Sequence, residues 1–175
     1  MKTMMTASAA ATIWLASAAA QTIVAELSIA GEELAGPGLQ MAGETFDDGF
    51  EVFAVDYGGT MLMPARGGRA RGGVEFEPVT LTMPSSVATP RLLDAMARGR
   101  RVEATITFAA PNPANGAMEI VEAVSIEGGA VTGVRFSADA LAGRPNEIEV
   151  DLSWRDLRIE DTRSGIEVEI DMTPR

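Results

Sequence analysis

Histidine and cysteine are absent from the 175 residues, and the lysine count is one, Lys2. Without imidazole or thiol the chain has no serine-histidine-aspartate or cysteine-histidine nucleophile pair, no thiolate zinc site, no imidazole metal ligand and no disulfide framework. Positive charge is scarce as well. Fourteen basic residues against twenty-five acids leave a net charge of -11, which favours solubility and opposes non-specific binding to nucleic acid or anionic lipid. What is present, 46% apolar residues with eighteen glycines and nine prolines, is the composition of one ordinary globular domain.

The start of the chain reads as a leader. No charge lies between Lys2 and Glu26, and Ala7 to Ala16 is a small and apolar run too short to span a bilayer securely. Ser17-Ala18-Ala19-Ala20 then sets alanines where a signal peptidase reads, immediately before Gln21. Residues 1 to 20 are therefore expected to be a secretory signal and 21 to 175 a single domain, exported to the periplasm or beyond and not held in a membrane after cleavage. The alternative is an uncleaved anchor; the strand-like pattern from Thr22 onward and the weak membrane preference of alanine, serine and threonine argue against it. The 155 residues left suffice to bury roughly 70% of the surface of the unfolded chain, so missing disulfides are no obstacle to folding.

Beyond the leader the pattern is one of strands. Ile23, Ala25, Leu27 and Ile29 alternate with Val24, Glu26 and Ser28, predicting a first strand at 22 to 29. Phe50 to Tyr57, apolar on both faces and stopped by Gly58-Gly59, predicts a strand covered on both sides. In residues 74 to 83 the apolar parity changes at Pro78, predicting a bulge or bend there. Thr89 to Gly99 predicts a helix: Thr89 as cap, Pro90 in the first turn, Gly99 as a left-handed end, and Leu92, Leu93 and Met96 as the buried stripe. Alternating rows recur at Val102 to Phe108, Met118 to Ile126, Ile148 to Trp154 and Ile166 to Met172. Such alternation means one face in and one face wet. The expected fold is mainly β, an antiparallel barrel of two packed sheets with one short helix at about 89–98.

The order of these segments resembles a known family. Phe76-Glu77-Pro78-Val79-Thr80-Leu81-Thr82-Met83, followed by Ala88-Thr89-Pro90-Arg91-Leu92 and by Ala95 to Gly99, is similar to the strand, helix start and helix end of the Hcp family, the haemolysin-coregulated tube proteins of type VI secretion. Asp48 to Gly58 resembles that family's second strand, the glycine-rich stretch before Val74 its extended loop, Val121 to Thr132 the segment before its final strand, and Glu147 to Ile159 that strand. The resemblance spans about Thr22 to Asp161. It implies a β-barrel subunit that is structural and not enzymatic, needs no cofactor, and forms a homohexameric ring. Such rings stack into a tube carrying small effector proteins, with other secretion-system components as partners. A cleavable leader departs from the family, whose tube subunits leave through the contractile apparatus, so the resemblance implies an exported Hcp-like member. The strand at Ile166 to Met172 has no counterpart in the pattern.

Charge placement points to self-association independently. Between Arg66 and Arg101 stand Arg66, Arg69, Arg71, Arg91, Arg98, Arg100 and Arg101 against Glu75, Glu77 and Asp94, a local net of +4 in an acidic chain. Arg66, Arg69, Arg71, Arg98, Arg100 and Arg101 are the candidate subunit contacts, since unlike surfaces meeting head to tail build rings and stacks. The competing reading is a solvated loop whose arginines do nothing specific. Arg66 to Gly73 superficially resembles an RNA-binding RGG segment, but no aromatic residue interleaves it and the chain is acidic, so no nucleic-acid partner is expected.

The ladders Glu147, Glu149, Asp151 and Glu167, Glu169, Asp171 offer oxygen ligands of the kind Ca²⁺ takes, yet lack a chelating loop and read as wet faces; no metal is expected. No spacing marks two carboxylates across a cleft for glycoside hydrolysis. Ser85, Ser86 and Ser164 lack a base, and Trp154 falls in an apolar row, so no catalytic residue is expected. The alternative to a ring-forming subunit is an exported monomeric β-barrel binding a carbohydrate or protein ligand. N-terminal sequencing of the exported protein is expected to begin at Gln21; a chain beginning at Met1 would mark an uncleaved anchor.

Overall fold

The computed structural model describes residues 21–62, 73–138 and 146–172. Strand β1 (Thr22–Ile29) has the bounds its alternation predicts. Short strands follow: β2 (Glu32–Glu33), β3 (Leu39–Met41), β4 (Glu44–Phe46), β5 (Phe50–Val52), β6 (Ala54–Asp56), β7 (Gly59–Leu62), β8 (Gly73–Phe76) and β9 (Val79–Pro84). Helix α1 (Thr89–Arg98) leads into β10 (Arg101–Pro111), β11 (Met118–Ser137), β12 (Glu147–Ser153), β13 (Asp156–Asp161) and β14 (Ile166–Asp171).

All described pairings are antiparallel. The main sheet, of ten strands, runs β2-β1-β10-β11-β12-β9-β6, with β5 on β1, β13 on β11 and β14 on β13. The pairs β3-β4 and β7-β8 form separate ribbons. Residues 50–52 pair with β1 and residues 54–56 with β9, while the Phe53 N–H donates to Thr82 O at 2.7 Å. The sheet thus curls until one stretch of chain touches both of its sides. The ladder is interrupted at Phe53, so the cylinder is left open there. The mainly β, antiparallel class with one short helix is as expected, built from one rolled sheet rather than two packed ones.

The interior follows from the register. Ala25, Ile106 and Val124 lie side by side across β1, β10 and β11, as do Leu27, Ala104 and Ile126. Val79, Leu81 and Met83 face Leu152, Val150 and Ile148 on β12. All twelve are buried, and Leu92 and Ala95 of α1 join them. The parity change at Pro78 proves to be a change of sheet, since Phe76 belongs to the ribbon and Val79 to the rolled sheet. Trp154 ties the two together: its ring meets Phe76 edge-on at 5.2 Å and its indole N–H donates to Glu77 O at 3.3 Å.

Several expectations are corrected. Phe50 and Val52 are buried but Phe53 is 43% exposed, because the chain switches partners there; the segment is not covered on both faces. The buried seam of α1 is Ala88, Leu92 and Ala95, at helical spacing, which leaves Leu93 and Met96 turned toward solvent. Ala88 occupies the N-cap without a side-chain bond. Thr89 is the first helical residue, and its Oγ1 accepts the Ser86 N–H at 3.2 Å while Ser86 Oγ accepts the Ala88 N–H at 3.2 Å.

Gly99 does end the helix left-handed, at φ 59°, and the Arg100 N–H closes on Ala95 O at 2.9 Å. The row at Met118 to Ile126 continues through Gly128-Gly129 as far as Ser137. The segment from Glu147 breaks after Ser153 into two strands. Most of the apolar row of β14 lies exposed, as an edge strand paired only with β13 among the described residues.

Leu92→Ala is expected to cost about 2–5 kcal/mol in urea unfolding, as a buried leucine does, whereas Leu93→Ala stays within about 0.5 kcal/mol of the parent. Equal losses at both positions would contradict this seam.

Candidate functional site

Charge dominates the surface, and the fold brings its two signs together near the end of α1. Arg98 Nε donates to Asp94 at 2.6 Å, one helical turn earlier, and Arg100 reaches the other oxygen of Asp94 at 3.2 Å. Arg101 pairs with Glu103 at 2.9 Å along β10, and Arg91 with Glu32 at 3.3 Å. Three of the six candidate contact arginines, Arg98, Arg100 and Arg101, therefore stand at one corner, each in an ion pair with its own chain. Arg66, Arg69 and Arg71 lie outside the described residues. The ion pairs are solvent-exposed, and pairs of this kind contribute about 0–1 kcal/mol each. They hold the guanidinium groups in place only weakly.

Beside this corner runs an acidic groove of about 550 Å³. Its carboxylates are Glu26, Glu33, Asp47, Asp48, Glu103 and Glu127. The pairing Glu26↔Thr105↔Ser125 carries the groove across the polar face of β1, β10 and β11, and Ser28↔Glu103 sets its next row. Asp47 and Asp48 arrive from the connection after β4. The sequence hides this cluster, since residues near 26, 47, 103 and 127 meet only through strand register. The one local hint is Glu26 at a polar position between buried neighbours.

The groove raises the Glu26 pKa above its ordinary value of 4.5, first by burial and then through the charges of Glu33, Asp48 and Asp47. A second titratable contact stands elsewhere. The Tyr57 hydroxyl donates to Glu122 Oε1 at 2.5 Å, and its pKa is pushed up to about 12 by burial and by that carboxylate. Tyr57 is thus a protonated tie between the end of β6 and β11, not a base at neutral pH.

The acid ladder of β14 is a wet face, whereas that of β12 is half-buried. On β12, Asp151 accepts from Thr80 Oγ1 at 2.8 Å, and Arg135 bridges Glu149 and Asp151. On β14, Glu167 pairs with Arg158 at 2.7 Å. Among the described residues no group of three or more potential ligands is placed to hold a metal ion, and no helix is long and apolar enough to cross a membrane.

A folded-state pKa above the unfolded one means that folding favours the protonated Glu26; its stabilising contribution is present below pH 4.5 and is lost as pH rises through the folded value. Glu26→Gln is therefore expected to raise the melting midpoint at pH 7 by about 1–3 °C, with the gain vanishing at acid pH. A lower midpoint at pH 7 would contradict the repulsion.

The described geometry has close counterparts. Hcp1 from the E. coli EAEC 042 pathovar, solved as a double mutant, superposes with a TM-score of 0.73 at 16% identity, covering 86% of this chain and 98% of that one. The secreted protein Hcp3 from Pseudomonas aeruginosa gives 0.65 at 17% identity, covering 87% and 99%. Hcp1 from Salmonella typhimurium gives 0.61 at 17%, covering 86% and 95%. At these identities the likeness is one of fold. No curated protein matches the sequence. The family profile described as Type VI secretion system effector, Hcp, matches residues 27–160. A match over that much of the chain, on the rolled sheet and helix just described, places this protein in the Hcp family of type VI secretion.

Proposed function

We propose that this chain is a non-enzymatic structural subunit that closes into a homohexameric ring, and that such rings stack into a tube able to carry small effector proteins, with secretion-system components as further partners. The carrying observation is the family match over residues 27–160, supported by superpositions that span nearly the whole of each relative. Export through a leader at residues 1 to 20, leaving one domain from 21 to 175, belongs to the same reading; it makes the protein an exported member of the family.

The contact chemistry proposed is arginine against acid. Arg98, Arg100 and Arg101 are held by exposed pairs, which a carboxylate of a second copy can replace at little cost. The acidic groove offers six such carboxylates. Arg66, Arg69 and Arg71 add cations from the sequence. The alternative, a monomeric module for a carbohydrate or protein ligand, gains little for sugars from the groove, whose lining has no aromatic ring to stack on.

Native mass spectrometry and light scattering of the chain from Gln21 are expected to give six copies, with ring-shaped particles in negative stain; a monomer at all concentrations would favour the binding module. Reversing Arg66, Arg69 and Arg71, or Arg98, Arg100 and Arg101, to glutamate is expected to shift mass from ring to monomer, and an unchanged oligomer would remove those arginines from the contact.

A further inference from the structure

The chain holds three asparagines, and the fold treats each differently. Asn112 precedes Pro113, whose nitrogen carries no proton. Its amide is engaged at both ends, Oδ1 accepting the Ala114 N–H at 2.8 Å and Nδ2 donating to Glu119 Oε1 at 2.6 Å. Asn146 precedes Glu147, which is paired on both sides in β12 with Pro84 and Ser137, so its nitrogen is held in the extended ladder. Asn115 differs from both. It precedes Gly116 at the exposed tip of the hairpin between β10 and β11.

An asparagine followed by glycine is prone to internal displacement, because a five-membered ring closes within the pair and glycine has no Cβ to crowd the approach. The fold leaves this pair open. Gly116 sits at φ +75°, and a Cβ added to it would meet nothing within 4 Å among the described residues, so water reaches the backbone from outside. The Ala117 N–H donates to Asn115 Oδ1 at 2.9 Å. That bond draws electron density off the side-chain carbonyl and stands where negative charge develops when Cγ is attacked.

One contact opposes the reaction. The Gly116 N–H is held by Asn112 O at 2.7 Å and must leave that acceptor before its proton is lost. An exposed turn bond of this kind slows such a step by about tenfold at most. The one Asp-Gly step of the sequence, Asp48-Gly49, is enclosed by contrast: Gly49 is buried, and a Cβ on it would meet Phe46 and Val24 at 2.7 and 2.8 Å.

We infer that Asn115 is a site of spontaneous deamidation in the folded protein, with water as the co-reactant. Base removes the Gly116 proton, the nitrogen bonds to Asn115 Cγ, and the side-chain amide leaves as ammonia, closing a succinimide. Water then opens the ring. Attack at Cγ restores the normal main chain with an aspartate, and attack at the main-chain carbonyl leaves an isoaspartate whose main chain runs through the former side chain. The net change is uptake of one water and release of one ammonia. Either product puts a carboxylate where a neutral amide stood, adding negative charge to a chain already at -11. The isoaspartate also inserts a carbon into a turn that the Asn112 N–H closes on Ala117 O at 2.7 Å. The reaction needs no second copy and does not rest on the ring reading.

The test incubates the chain from Gln21, folded and at mildly alkaline pH, in water labelled with oxygen-18, followed by peptide mapping and isoaspartate detection. The Asn115 peptide is expected to take up the label and to appear as isoaspartate and aspartate together, while Asn112 and Asn146 keep their amides. Its rate is expected to lie within about tenfold of the rate for the same chain unfolded in guanidinium. An Asn115 amide that survives in the folded chain long after the unfolded chain has lost it would overturn the inference. So would aspartate as the sole product, which means hydrolysis without the ring, or equal conversion at Asn146. Asn115→Gln keeps an amide in the turn but would need a larger ring, and conversion at that position is expected to fall by about tenfold or more. An undiminished rate in that variant would likewise overturn the inference.

Discussion

Everything in this molecule is arranged around β11, whose twenty residues outrun every partner it has. Residues 118–130 pair with β10, residues 122–127 with β13 and residues 130–137 with β12. A strand serving three neighbours must bend where it passes from one to the next, and the passage falls at Gly128-Gly129. Gly128 sits at φ +62°, and a Cβ on Gly129 would collide with the Ser153 carbonyl. Any side chain at Gly129 would push β12 away from the sheet. Val79, Leu81 and Met83 would then lose the wall of Ile148, Val150 and Leu152 against which they pack.

The same bend accounts for the surplus at the far edge. By sending β12 toward β9, β11 leaves β13 and β14 on a limb of the sheet that the rolled core cannot fill. Leu157 and Ile170 still reach the interior, whereas Val168 and Ile166 stand progressively further out. An apolar row on one face and an acidic row on the other make this limb amphipathic in the manner of a half-buried strand. The barrel alone supplies no second layer for it.

Electrostatics follows an analogous division. Separated along the sequence, the arginines from 66 to 101 and the acids elsewhere give the impression of a polarised chain. Folding cancels that separation where Arg91 of α1 meets Glu32 of β2, whereas the helix end pairs locally, Asp94 receiving two guanidinium groups and Glu103 one. What survives is a gradient: a basic helix end beside an acidic groove, with Glu26 held among Glu33, Asp47 and Asp48 at a cost to the monomer. Weak exposed pairs on one side and crowded carboxylates on the other leave both surfaces only loosely satisfied within the chain.

Period-two alternation and two punctuation residues carried most of the fold in the sequence. β1, β9, β10 and β12 were legible because each has one face in the core, and α1 because Pro90 and Gly99 bracket it. The order of these elements was enough for the family resemblance. Burial at the margins was not legible: Leu93, Met96, Ile166 and Val168 have the same oiliness as Leu92 and Val150, and nothing local says which will find a neighbour. The acidic groove was equally hidden, since its members lie up to a hundred residues apart and meet only when Glu26 pairs with Thr105 and Thr105 with Ser125. Local pattern decides which face of a strand is apolar, while only the three-dimensional path of the sheet decides whether there is enough protein on that side to cover it.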